Sequence, residues 1–176
     1  MSTFCTQVLS GIDLSCDHTM GGIKAVYIAN FADVSGVTEE DGTITEIKMN
    51  EGTQFMKYQF RRNSASNMNS SRSGDDAAGT HSVTTNIAMT FSLMDSDKRK
   101  EMDKLSIAQL ICIVEDRNGR YWMPCTPNDD YMSMSAGEAS TGSTSSEANQ
   151  NSETITGEAS HFPYEVDKEA FLGVIE

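Results

Sequence analysis

Phe55-Met56-Lys57-Tyr58-Gln59-Phe60-Arg61 and, after a polar interval, Val83-Thr84-Thr85-Asn86-Ile87-Ala88-Met89-Thr90-Phe91-Ser92-Leu93 are the stretches on which the fold turns. In the first, Met56, Tyr58 and Phe60 fall on one face; in the second, Ile87, Met89, Phe91 and Leu93 oppose Ala88, Thr90 and Ser92. Period-two patterning of this kind belongs to half-buried antiparallel strands. The interval, residues 63–80, is nearly all Asn, Ser, Gly and Asp, with Met68 its only large apolar residue. It cannot build a core, so the two strands are expected to form a long protruding hairpin (about residues 54–93) with a polar loop at 63–80. Nothing inside a compact domain offsets the ordering entropy of such a loop, and neighbours in an assembly are the simplest source of contacts.

Other elements follow outward from this hairpin. Residues 1–22, with Gly11, Gly21 and Gly22, read as an extended arm, and residues 23–176 as a single domain. Residues 23–31 alternate as a strand, Asp41-Gly42 marks a tight turn, and residues 43–49 give another strand. After Leu93, Asp95 or Ser96 can cap a helix over about residues 96–108. Its apolar stripe of Met102, Leu105 and Ala108 is expected to dock on a sheet. Leu110 to Val114 is an apolar run suited to a central strand, and Asn118-Gly119 turns it back into Tyr121-Trp122-Met123. Residues 133–152 read by composition as a second long polar loop; short alternating flanks leave a second hairpin open. The apolar residues Phe171, Leu172, Val174 and Ile175 are suited to docking. The expected class is α+β, mostly antiparallel β, with a core of Tyr58, Phe60, Met89, Phe91, Ile111, Ile113 and Trp122.

The chain of 176 residues carries a formal charge of -13 and is only 38% apolar, which fits one domain with long appendages. From Tyr121 onward there are ten acids and one base, Lys168, whereas eight of the thirteen bases lie between Lys57 and Lys104. That balance argues against non-specific attachment to nucleic acid or anionic lipid, and lets a basic edge of one copy meet an acidic edge of the next. The first residues lack the basic and apolar regions of a secretory signal, and no stretch has the length of a membrane span. Cys5, Cys16, Cys112 and Cys125 lack zinc-site spacing and read as reduced thiols. No nucleophile elbow, phosphate loop or close His and carboxylate pair occurs, so neither catalysis nor a cofactor or metal is expected.

Several phrases resemble the tail tube proteins of bacteriophages, especially those of phages infecting Bacteroides and relatives. They are Met94-Asp95-Ser96-Asp97-Lys98-Arg99-Lys100-Glu101 with its helix, the run from Gln109 through Asn118-Gly119-Arg120-Tyr121-Trp122, and Glu153-Thr154-Ile155-Thr156-Gly157-Glu158 before Phe162-Pro163-Tyr164-Glu165-Val166. The resemblance covers roughly residues 55–166. It implies a β-sandwich or barrel with one flanking helix and a virion location in the tail, reached by assembly in the host cytoplasm. It further implies homo-oligomeric rings, most often sixfold, that stack on themselves or on other tail proteins and let double-stranded DNA pass without specific binding. The position along the tail stays open among tube, terminator, hub and connector rings. By the same resemblance, the ring interface falls on Arg61, Arg62, Asn63, Met68, Arg72, Asp75, Asp76 and His81. A competing reading is a surface module that stacks carbohydrate or a receptor on Trp122, Tyr121 and Tyr131.

Overall fold

The computed structural model describes residues 9–62 and 64–175. Among them, eleven strands form two sheets. Sheet A contains β1 (Ile23–Asn30), β2 (Val34–Glu40), β3 (Thr43–Met49), β4 (Met56–Gln59), β7 (Leu110–Asp116), β8 (Tyr121–Met123) and β11 (Tyr164–Val166), in the order β2-β3-β11-β8-β7-β1-β4. All its pairs are antiparallel except β3 with β11. Sheet B contains β5 (Asn67–Asp75), β6 (Thr80–Ser92), β9 (Ser133–Ser140) and β10 (Gln150–Ala159), in the order β5-β6-β10-β9, antiparallel throughout. The fold is α+β and mostly antiparallel β, built from two open sheets; it is not a closed barrel.

Sheet A is apolar on both faces because β1 and β7 are. Val26, Ile28, Cys112 and Val114 point toward sheet B and meet Ile87, Met89, Phe91 and Ile155 in one core. Ala25, Tyr27, Ile111 and Ile113 point the other way, into a second core with Ile44, Phe55, Met123 and Val166. Helix α1 (Ser96–Ile107) covers the first core with Met102 and Leu105, and half-buried Ala108 just beyond it completes the expected stripe. Its start is fixed as the sequence implies: the Asp95 carboxylate accepts a 2.8 Å hydrogen bond from the Lys98 amide. The short helix α2 (Lys168–Leu172) closes the second core, with Phe171 edge-on to Tyr27 and stacked on Tyr121.

Several expectations are corrected. The strands at 55–61 and 83–93 are not hairpin partners, since β4 pairs with β1 in sheet A and β6 with β5 and β10 in sheet B. Most of the polar interval is itself a strand: β5 runs beside β6 from Asn67 opposite Ala88 to Asp75 opposite Thr80, with residues 76–79 as the turn between them. The stretch 133–152 is likewise a hairpin, with β9 on β10 and a turn at 141–149, which is the second possibility left open above. Met89, Phe91, Ile111 and Ile113 are buried, but Tyr58, Phe60 and Trp122 are only half-buried at the rim. Leu93 ends the alternation with φ of 68° and is 58% exposed.

Turn chemistry explains why the outer strands fold as they do. Asp41 and Gly42 both have positive φ, the requirement of a two-residue hairpin turn whose twist matches its strands, and they join β2 to β3. Gly157 has a different task. A Cβ there would lie 2.6 Å from Met132 Cγ and 2.8 Å from Cys125 Sγ, so its bare backbone is what lets β10 settle against the segment linking β8 to β9.

Candidate functional site

Sheet B is built around the long pairing of β6 with β10, from Gln150 opposite Ser92 to Ala159 opposite Val83. Val83, Thr85, Ile87, Met89 and Phe91 point into the core, and the alternate residues face outward. The outward face reads Asn67, Asn69, Ser71 and Ser73 on β5, Thr84, Asn86, Ala88 and Thr90 on β6, and Ser152, Thr154, Thr156 and Glu158 on β10. Hydroxyls and amides dominate, and none of these residues is Lys or Arg. The Thr156 hydroxyl lies 2.7 Å from Asn86 Oδ1 and 2.8 Å from Ser135 Oγ, which ties three strands together across this face.

Two edges of this sheet carry no neighbour among the described residues: β5 on one side and β9 on the other. Neither contains Lys or Pro; β5 carries Arg72 and Asp75, and β9 carries Glu138 and a register shift against β10. The two hairpin turns leave at opposite ends of the sheet. Residues 76–79 lie beyond the Val83 end of β6, and residues 141–149 beyond its Ser92 end. The first turn is capped by Asp75, whose Oδ1 accepts from the amides of Ala77 (2.9 Å) and Ala78 (3.3 Å). The second is pinned by Asn149, which accepts from the amides of Leu93 and Met94, each at 2.8 Å.

The expected interface residues are spread along the first hairpin and its approach. Arg61 and Arg62 are exposed after β4, Asp75, Asp76 and His81 are exposed at the tip, and Asn63 lies outside the described residues. Arg72 reaches across to the Phe162 ring, 4.5 Å from its centroid, and so braces the hairpin against the body. Met68 is different from the expectation: opposite Ile87, it packs inward on the first core. The three aromatic residues of the competing reading share no stacking face. Tyr121 stacks on Phe171, Trp122 donates its indole N–H to Asp116 Oδ2 at 3.2 Å from the other face of the strand, and Tyr131 packs edge-on to Phe31.

One polar cluster was invisible in the sequence because its members lie 32 residues apart. Asp129 Oδ2 accepts from the Thr126 amide (2.9 Å), the Thr126 hydroxyl (2.8 Å) and His161 Nε2 (2.9 Å). Burial pushes the Asp129 carboxyl up, but these hydrogen bonds outweigh it and hold the group below the usual carboxylate range. His161 also stacks on Tyr164 at 3.9 Å. The neighbouring Cys125 thiol is pushed up to about 12, chiefly by burial. The cluster therefore acts as a clamp between the β8–β9 link and the β10–β11 link. Among the described residues, no group of three or more His, Cys, Asp or Glu side chains is placed to hold a metal ion. No helix among them is long and apolar enough to cross a membrane.

Comparison with protein-family models, with curated proteins and with solved structures finds no match to this chain.

Proposed function

We propose that this chain is a non-enzymatic structural subunit of a bacteriophage tail, forming rings, most often sixfold, in which sheet B joins edge to edge around a lumen for DNA. The observation that carries this reading is the pair of open edges on opposite sides of sheet B, β5 and β9. Bare edges are an aggregation hazard in a monomer, and a head-to-tail ring removes both with a single repeated contact. The hairpin turns at opposite ends of the same sheet fit stacking of ring on ring along the strand direction.

The outward face of sheet B is the side suited to the lumen: its hydroxyls and amides, with Glu158 and no base, offer a phosphate backbone neither an ion pair nor a greasy surface.

Light scattering and negative-stain imaging of the purified protein test this directly. Rings or tubes are expected; a monomer that persists at high concentration overturns the proposal. Edge substitutions Ser71→Lys and Ala139→Lys are expected to leave the circular dichroism spectrum unchanged and to abolish assembly. Unimpaired rings would remove sheet B as the joint.

A further inference from the structure

We infer that the arm, residues 9–20, lies in a neighbouring copy along the free edge of β4, with its apolar side chains in the groove between β4 and α1. The inference requires a second copy but not the tail reading. Its first support is the state of the arm. Leu9, Ile12 and Leu14 are 89%, 101% and 93% exposed, so the arm carries three large apolar side chains that touch nothing. Its root is fixed: the Met20 amide donates to Asn118 Oδ1 at 2.8 Å, and Asn118 Nδ2 donates back to the Met20 carbonyl at 3.1 Å. Before Met20, the side-chain hydrogen bond found among the described residues is local, from the Asp17 amide to Ser15 Oγ. Twelve extended residues reach about 40 Å, enough to cross to another subunit.

The second support is the receiving surface. β4 is the last strand of sheet A, and its outer backbone groups have no partner strand among the described residues. Beside it runs a groove of about 210 Å³ whose lining includes Met56, Tyr58, Leu105 and Ala108, with one base, Lys104, and two acids, Asp33 and Glu101. Met56 is 57% exposed. The Tyr58 hydroxyl and Lys104 ammonium both donate to Glu101, at 2.7 and 3.0 Å, which holds the groove wall in place. A strand added here gains main-chain hydrogen bonds on one side and an apolar trough on the other.

Charge selects this edge over the others. The arm has Asp13 and Asp17 with no Lys or Arg, while β4 and the residues just after it carry exposed Lys57, Arg61 and Arg62. The larger groove of about 440 Å³ between α1 and β9 is lined by three acids, Asp103, Glu138 and Glu153, and one base, Arg99. Burial first, then Asp103, already pushes the Glu153 carboxyl up, and a further carboxylate there is unfavourable. The β5 edge presents serines and asparagines with no trough beside them.

Exposed Cys16 in the arm serves as the probe, since Cys112 and Cys125 are buried. In full-length protein carrying Cys5→Ser, single substitutions Met56→Cys, Lys57→Cys or Gln59→Cys would be oxidised with diamide in a mixture of tagged and untagged chains. Disulfides linking tagged to untagged chains are expected from at least one β4 position. They should be about tenfold weaker when Ile12→Asp and Leu14→Asp are added. Equal linking from Ser71→Cys or Ser135→Cys, linking only within one chain, or no linking at any β4 position overturns the inference. Rings without this linkage sink the arm site and spare the ring proposal; linked pairs without rings do the reverse.

Discussion

Sheet A and sheet B are made of comparable amounts of strand but solve different problems. Sheet A is buried on both faces, with Val26, Ile111, Ile113 and Val114 at 0% exposure and α2 laid over its far side. Sheet B has one apolar face, one face of hydroxyls and amides, two bare edges and two polar turns. The first is covered on both faces and open only at its edge strands β2 and β4; the second leaves a whole face as well as both edges uncovered. If sheet B is the joint proposed above, stability and assembly are separable, and substitutions in the two sheets sort accordingly.

The largest effect is expected in sheet A. Phe171→Ala, which strips α2 from Tyr27 and Tyr121, costs about 3–5 kcal/mol, and Ile113→Ala about 2–5 kcal/mol, read from the urea midpoint of the unassembled protein. Should Phe171→Ala cost less than 1 kcal/mol, α2 is not part of the second core. Next comes the seam between the sheets: Gly157→Ala drives a methyl into Met132 and Cys125 and costs about 1–3 kcal/mol.

A smaller, pH-dependent effect is expected at the clamp. The Asp129 carboxyl lies lower in the folded chain than its ordinary value. Its contribution is thus fully present above the unfolded value, near 4, and is lost as pH falls through the folded one. Melting temperature followed from pH 7 to 3 should fall less steeply in Asp129→Asn; parallel curves would mean that the clamp does not contribute. The smallest stability effect belongs to the sheet B hairpin. Replacing residues 73–82 by Asn-Gly keeps Arg72 opposite Val83 and should change stability by no more than about 0.5 kcal/mol, while ring formation disappears. Rings of normal size from this variant would place the joint elsewhere.

How far the sequence could be read follows the same division. β1, β6, α1 and β7 stood out because their apolar residues repeat with a period that burial enforces, and Asp41-Gly42 and Asp95 supplied local punctuation. Partner choice was not legible. Alternation assigns a face but no neighbour, so Phe55–Arg61 looked like the mate of residues 83–93 when its register is with Ala25 to Ile28. β5 escaped notice because Asn and Ser dominate it and its pairing is dictated by β6; Asp75-Asp76-Ala77-Ala78-Gly79, an Asp-led and Gly-closed turn, was the signal that could have revealed it. The bare edges of β5, β9 and β4 are properties of strand order and have no signature in the chain. Thr126 and Asp129 are close enough in sequence to suggest a turn, but nothing pointed from them to His161.

The parallel pairing of β3 with β11 carries a consequence for synthesis. Ile44 waits for Val166, and Tyr27 for Phe171, so the first half of sheet A stays uncovered on its far side while more than a hundred further residues are being translated. The nascent polypeptide consequently emerges from the ribosome with a greasy flank awaiting its lid, and chaperone capture should be strongest just before residues 164–175 become available.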